Sequence, residues 1–311
     1  MRIIFFGTPD FAVPSLKALL AGPDEIIGVV CQPDKPAGRG QRLTAPPVKR
    51  VAEAAGVAVL QPVKVRTPEF LEQLRQWQPD LIVVAAYGRI LPKTILELPP
   101  HGCINVHASL LPKYRGAAPM QWAILNGDST TGVTIMQMSE EMDAGDILLR
   151  RETPLGSDET LPALQSRLAE LGAAALMDAL QHLRAGKLHP QAQDPSRVTF
   201  APMIRKEDGA IDWGRTADEI ARRVRAFDPW PSAYTTVHQK RLKICRAKAD
   251  MQGAGAAKPP GTVTAVGEGI RVACGEGDLL IEELQLEGRK RLRAKELSHG
   301  GSLEIGVQLG G

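Results

Sequence analysis

No stretch of this chain comes near the roughly 20 consecutive apolar residues that a bilayer-spanning helix needs, because Gly, Pro and charge interrupt every hydrophobic run. The opening Met1-Arg2-Ile3-Ile4-Phe5-Phe6 meets Gly7 and Pro9 at once, without the apolar stretch and small-residue cleavage site of a secretory signal. A cytoplasmic protein is therefore expected. Cysteine is scarce: Cys31, Cys103, Cys245 and Cys274 are scattered, with none of the close pairs that mark zinc or redox sites. All four are expected reduced, with neither disulfide nor metal. Aromatic residues are few, and no charge sign dominates: 38 Lys and Arg against 35 Asp and Glu leave +3. That surplus is too small to require nucleic acid, though it leaves room for a local basic face. There is no internal repeat, and nothing demands a dimer, so a monomer is expected.

What is present is an alternation. Short apolar or β-branched runs at 2–6, 26–31, 81–85, 103–107 and 132–138 are separated by helical patterns. That is the signature of an α/β domain with a mostly parallel sheet covered on both faces. Leu161, Leu164, Leu168, Leu171, Leu176, Leu180 and Leu183 fall near three-and-four spacing, predicting one amphipathic helix over 160–185. From about residue 188, Pro190, Pro195 and Pro202 punctuate a stretch without periodicity, which reads as a surface connector. The expected domains are therefore 1–205, connector included, and 206–311. Thr216 and Glu219 have capping-box spacing ahead of Ile220, Val224 and Phe227, and Pro229 and Pro231 end that helix. Five short runs follow, at 233–238, 242–247, 261–266, 270–274 and 279–286, as expected for a small, closed or nearly closed OB-like barrel.

The first strand-to-helix turn, Gly7-Thr8-Pro9-Asp10, lacks the glycine fingerprint of a dinucleotide site, and no P-loop occurs anywhere. The informative segment is 103–112. On a strand over 103–107, the period of two puts Asn105 and His107 on one face, with Ile104 and Val106 on the other. An amide that can donate to a developing oxyanion, beside an imidazole, is a workable pair for acyl transfer. Taken alone, the histidine reads more readily as a hydrogen-bonded structural residue than as a catalytic one. After the run at 132–138 comes an acidic loop, Ser139-Glu140-Glu141-Met142-Asp143-Ala144-Gly145-Asp146, leaving what is expected to be a parallel strand. Ligands of open α/β sheets bind beyond those strand ends, so a carboxylate there could orient His107.

With these residues in view, the chain resembles the folate-dependent formyltransferases, and within them the members that act on methionyl-tRNA. The resemblance rests on Asn105-Val106-His107, on Ser109-Leu110-Leu111-Pro112 with Arg115-Gly116-Ala117-Ala118-Pro119, and on Asp143 in its Met-Asp-Ala-Gly setting. It extends through Ala226-Phe227-Asp228-Pro229-Trp230-Pro231 and so covers nearly the whole chain; the Gly-rich ending matches less clearly. It implies a Rossmann-like formyltransferase domain followed by an OB-like barrel. It also implies transfer of formyl from 10-formyltetrahydrofolate to the α-amino group of methionyl initiator tRNA, without metal or covalent intermediate. Carried onto this chain, Asn105 would hold the oxyanion of a tetrahedral intermediate, cationic His107 would assist, and Asp143 would position His107 and help move the amine proton. Ser109, Leu110, Leu111 and Pro112 would lie against the folate. Arg89, Ile90 and Leu91, with Glu140, Glu141 and Met142, would wall the pterin.

The acceptor is argued separately. The basic segment 33–43, carrying Lys35, Arg39 and Arg42, resembles the insertion by which tRNA-specific members approach the acceptor arm, and Arg39 is its expected key residue. In the second domain Lys240, Arg241 and Lys243 belong to one basic run, and Arg289, Arg291, Arg293 and Lys295 share strand parity in another, so each could track a backbone. Two alternatives stand beside this: a formyltransferase for a small amine such as a sugar nucleotide, and a non-enzymatic nucleic-acid-binding protein.

Overall fold

Residues 3–6 and 81–85 carry no polar side chain, so strands built from them have two apolar faces and must be covered on both. In the computed structural model, which describes residues 1–37, 42–250, 258–297 and 303–310, both lie at the centre of a seven-stranded sheet. The chain divides into two compact units: residues 1–119, 130–154 and 164–201 form one, and 120–129, 155–163 and 202–311 the other.

Up to residue 184 the chain runs β1 (Arg2–Gly7), α1 (Val13–Ala21), β2 (Glu25–Val30), β3 (Lys35–Ala37), β4 (Arg42–Thr44), α2 (Pro47–Ala54), β5 (Val59–Leu60), α3 (Pro68–Gln76), β6 (Leu81–Ala85), α4 (Lys93–Leu96), β7 (Cys103–His107), α5 (Pro119–Leu125), β8 (Thr130–Gln137), β9 (Ile147–Pro154) and α6 (Leu161–Arg184). The sheet order is β5-β2-β1-β6-β7-β8-β9, and the first five strands are mutually parallel. This is the mostly parallel sheet the alternation predicts.

One expectation is corrected. The strand at 132–138 was expected to be parallel, and it lies in β8, antiparallel to β7, with His107 opposite Thr134 and Ile104 opposite Gln137. A parallel return needs a long crossover along the sheet. Residues 108–129 hold only the seven-residue α5, a rod of about 10 Å, so the chain turns back at the end of β7 where it emerged. β9, which the sequence pattern does not reveal, then pairs antiparallel with β8 at the sheet edge. Its Arg150, Arg151 and Glu152 are exposed and break any apolar alternation, as suits an edge strand.

The core fills in around these strands. Ile3, Ile4, Phe5, Phe6, Leu81, Ile82 and Val83 are fully buried, and Phe6 meets Tyr87 edge-on at 5.1 Å between centroids. Gly28 of β2 has no side chain because the Trp77 ring lies where one would go; a Cβ there would stand 2.2 Å from it. Leu164, Leu168, Leu176 and Leu180 of α6 are fully buried, as their spacing predicts. Three of the four thiols are buried, and burial pushes Cys31 up to about 11 and Cys103 and Cys274 to about 12. All four cysteines are free.

The second unit contains α7 (Ala217–Phe227), β10 (Ala233–Val237), β11 (Lys240–Asp250), β12 (Val263–Val266), β13 (Ile270–Ala273), β14 (Asp278–Leu286) and β15 (Leu292–Arg293). It is an antiparallel sheet in the order β10-β11-β14-β13-β12, with β15 on β14. Between the ends of that path lies the C-terminal segment. Val263 N–H donates to Val307 O at 2.9 Å and Leu309 N–H to Gly261 O at 2.8 Å, while Gly310 N–H donates to Thr236 O at 2.9 Å. Leu303 and Leu309 are buried in the same core as Trp213, Ile244 and Ile281. The Gly-rich ending that sequence matching leaves vague thus joins the two edges of this sheet.

A second expectation is also corrected. Arg289, Arg291, Arg293 and Lys295 do not share one strand face, because only Leu292–Arg293 is strand before a 3-10 turn at Ala294–Leu297. The turn at Gly288 (φ 73°) and the burial of Ala294 leave room for just two ladder residues. Among the described residues, no helix is long and apolar enough to cross a membrane.

The capping box is formed as read: Glu219 N–H donates to Thr216 Oγ1 at 3.2 Å and Thr216 N–H to Glu219 Oε2 at 3.1 Å. That backbone donor holds the Glu219 carboxyl below its ordinary 4.5. Its contribution to stability is complete above 4.5 and is lost as the pH falls through the lowered folded-state value. Thr216→Ala is expected to cost about 1 kcal/mol in urea unfolding at neutral pH, and Glu219→Gln to flatten the acid limb of the stability curve. An unchanged acid limb would refute this assignment.

Candidate active site

β7 carries its polar residues on one face. Val106 turns the other way, toward α6, where a Cβ on Gly172 would lie 2.8 Å from Val106 Cγ1. Asn105 is half-buried and its amide has no hydrogen-bond partner among the described residues. His107 is 6% exposed. Its Nε2 lies 3.0 Å from Tyr114 O, which can only accept, so Nε2 bears a proton. Its Nδ1 faces Asp143 Oδ1 at 3.7 Å.

Asp143 reaches this position because the β8–β9 loop folds back over the end of β7. Being antiparallel, β8 delivers the loop beside the start of β7, where Met138 N–H donates to Cys103 O at 2.8 Å. The sequence argument from a parallel strand's carboxyl end is therefore replaced by a hairpin loop that returns to His107. Asp143 itself has a left-handed backbone (φ 53°), as does Tyr114 (φ 65°), so the two groups facing His107 both come from conformations that non-glycine residues seldom adopt. The second carboxylate oxygen of Asp143 accepts from Gly116 N–H at 2.8 Å. Gly116 (φ 124°) admits no side chain, since a Cβ would lie 2.7 Å from Ala201 O.

An unpaired amide, an imidazole between two acceptors and a carboxylate thus meet at the end of β7. Such a group can donate to an oxygen gaining negative charge and accept a proton from an attacking amine. Neither the thiols nor Ser109 is activated here: Ser109 is buried and its hydroxyl donates to Lys113 O at 2.6 Å.

The neighbouring segment is held by one buried threonine. Thr134 Oγ1 accepts from Leu111 N–H at 3.1 Å and donates to Ser109 O at 2.7 Å. Leu111 packs with Met136 and Ile147, and Leu110 lies over Gly132. Pro112 is buried and follows a cis peptide bond. Of the other residues expected around the folate, Arg89 donates to Val63 O and Glu141 pairs with Arg115 at 3.3 Å. Glu140 pairs with Lys93 at 3.6 Å. Ile90 and Met142 are exposed at 58% and 55%, whereas Leu91 is buried. Ile90, Leu91 and Glu140 line a cleft of about 810 Å³ together with Arg66, Arg75 and Thr94. Asn105, His107 and Asp143 do not line it; the loop carrying Glu140 and Asp143 is what the two places share.

The basic residues are dispersed. Lys35 donates to Gln32 Oε1 at 2.8 Å, and Arg42 lies in β4, which pairs with β3. Below them Lys49 and Gln61 hold the Asp34 carboxyl under its ordinary range. Arg39 lies outside the described residues. In the second unit Lys240, Arg289 and Arg293 are exposed, and Lys243 is half-buried. The Arg241 guanidinium stacks over Tyr234 at 3.8 Å from the centroid. Arg291 is committed to Glu283 at 2.7 Å and Asp228 at 3.1 Å.

Residues 1–180 match the Formyl transferase family and residues 203–301 its C-terminal domain family. The chain belongs to the formyltransferase family. Methionyl-tRNA formyltransferase of Geobacter sulfurreducens is 51% identical, covering all of this chain and 97% of the relative. That of Desulfotalea psychrophila is 54% identical, covering 97% and 94%. Among solved structures, the N-formyltransferase from Helicobacter canadensis, in complex with folinic acid and dTDP-3-aminofucose, superposes with TM-score 0.68 at 18% identity, covering 94% of this chain and all of that one. HypX from Aquifex aeolicus, in complex with tetrahydrofolic acid, gives 0.63 at 21% over 96% of this chain, which spans about half of HypX (47%). These likenesses bear on the fold.

Sequence reasoning missed several residues of this formyltransferase's site. Tyr114, Gly116 and Thr134 act through backbone groups or a buried hydroxyl, which leave no pattern. Gln193 comes from a connector with no periodicity; its Nε2 donates to Asp143 O at 2.7 Å. Thr134→Val is expected to destabilise the fold by about 1–3 kcal/mol in denaturant unfolding, because it strands both backbone groups of the segment at 109–111. Full stability of that variant would mean the segment is held by other contacts.

Proposed function

We infer that the chain transfers the formyl group of 10-formyltetrahydrofolate to the α-amino group of methionyl initiator tRNA. The observation that carries this is a match of about half the residues, over the full length, to relatives named for that activity. The residues present fit the co-substrate: exposed Ile90 and Met142 offer apolar contact to a flat ring system, and the free Asn105 amide offers a donor to a formyl oxygen. When bound, the folate supplies the activated formyl carbon. Asn105 donates to the formyl oxygen as it gains charge. Cationic His107, its Nε2 proton held by Tyr114 O, stabilises the same charge, and Asp143 opposite Nδ1 orients it and takes up the amine proton as the new C–N bond forms; that proton is then given to the folate nitrogen whose bond to the formyl carbon breaks. Arg89, Leu91, Glu140, Glu141 and the segment Ser109, Leu110, Leu111 and Pro112 complete the folate surroundings in this reading.

On the acceptor side, Lys35, Arg39 and Arg42, with Lys240, Arg241, Lys243, Arg289 and Arg293, contact tRNA phosphates; Arg291, already paired twice, contributes less. The division near residue 205, a cytoplasmic location and a monomeric state complete the proposal.

The deciding experiment is transfer of labelled formyl to initiator methionyl-tRNA beside uncharged tRNA, elongator methionyl-tRNA and free methionine. Label on the charged initiator alone is expected; label on none of them, with folate bound, would redirect the search to small amines. Asn105→Ala, His107→Ala and Asp143→Ala should each lower kcat on the order of 100-fold or more while KM changes little, and wild-type turnover in any one removes that residue from the mechanism. Arg39→Ala should raise KM for the tRNA and leave folate binding intact. Activity should also fall steeply between about 50 and 200 mM salt; a flat response would argue for a small acceptor.

A further inference from the structure

The segment after α6 is more than a tether. Gln191 pairs with Ile147 through two backbone hydrogen bonds of 2.8 and 2.9 Å. Two residues later Gln193 is half-buried while its neighbours 191, 192 and 194 are exposed. Both donors of its amide are used, and its oxygen is engaged as well. Nε2 donates to Asp143 O at 2.7 Å and to Gly145 O at 2.8 Å, and Oε1 accepts from Arg115 Nε at 3.0 Å. Arg115 is 8% exposed. Farther along, Thr199 Oγ1 accepts from Tyr114 N–H at 2.9 Å, and Arg115 N–H donates to Thr199 O at 2.9 Å.

The connector therefore grips both left-handed residues that face His107. Such conformations cost of order 1–3 kcal/mol each and persist only where the surroundings over-determine them. For Asp143 there are two restraints. Gly116 N–H fixes the carboxylate, and the Gln193 amide holds the carbonyls of the two residues that flank Ala144, Asp143 and Gly145. Without the second, the backbone at Asp143 is left to the loop's own weak Ala144 N–H to Glu141 O hydrogen bond of 3.4 Å, and as it relaxes the carboxylate swings relative to Nδ1.

We propose that Gln193 is a positioning residue for formyl transfer: its amide holds the β8–β9 loop so that the Asp143 carboxylate faces His107. This rests on the catalytic reading of Asp143 given above. Gln193 touches none of the reacting atoms, so its removal acts on turnover through Asp143.

The test is a double-mutant cycle in single-turnover formylation of initiator methionyl-tRNA by the full chain, using Gln193→Ala, Asp143→Asn and the pair. Gln193→Ala should lower kcat on the order of 10- to 100-fold with KM for both substrates within about 3-fold, and should cost less than about 3-fold more when added to Asp143→Asn. Gln193→Glu keeps the shape and the acceptor for Arg115 but turns an oxygen toward the two carbonyls, so it should lose as much as Gln193→Ala with an unchanged melting profile. Because it is isosteric, it also decides the matter should the alanine variant unfold. Wild-type kcat in Gln193→Ala, an equal loss in both backgrounds, a loss confined to KM, or an active Gln193→Glu would each overturn the proposal. Full activity of Asp143→Asn would instead defeat the catalytic reading and this proposal with it.

Discussion

His107 is buried with an acceptor opposite each ring nitrogen, and that constraint organises the first unit. A backbone carbonyl from the segment after β7 meets Nε2, and a carboxylate from the loop after β8 faces Nδ1. Both acceptors stand there because the segment after β7 curls under the imidazole and the loop after β8, delivered beside the start of β7, folds back toward the strand end. Two folded-back segments thus bring a carbonyl and a carboxylate to one imidazole at the end of an ordinary α/β strand.

Holding that convergence falls to groups that do no chemistry. Thr134, fully buried, satisfies one donor and one acceptor of the segment at 109–111. Gly116 lets the backbone approach Ala201 closely enough for its N–H to meet Asp143. Arg115 is nearly buried, and its guanidinium is shared between Gln193 and Glu141. Buried polar groups left half-satisfied are costly, so this lattice of backbone and side-chain hydrogen bonds is a condition for the site to have one geometry. Other residues nearby differ in kind: among the described residues the Asn105 amide is unpaired, and Ile90 and Met142 are exposed.

Much of this was legible in the chain itself. The strand over 103–107, the helix over 160–185 and the capping box at Thr216 and Glu219 follow from local pattern and match β7, α6 and α7 to within a residue or two. Period two alone put Asn105 and His107 on one face. The orientation of β8 was not legible, because strand direction depends on the path of the intervening chain and not on the strand's own residues. Nor was β9, whose exposed arginines hide it. The basic run at 289–295 looked like one strand face by parity, but a turn and a buried alanine break it after two residues.

By itself, then, the sequence determined most of the element types, the apolar cores and the polar side chains that share a face of β7, since these depend on residue chemistry and short-range periodicity. Only the tertiary structure decided which backbone groups complete the site. Tyr114 O, Gly116 N–H and the Gln193 amide act at positions set by long-range pairing, between residues up to about 50 apart in the chain. The same holds in the second unit, where residues 307–310 join β12 to β10. A backbone N–H or carbonyl is the same chemical group in every residue, so its role is written in the fold and not in the letter.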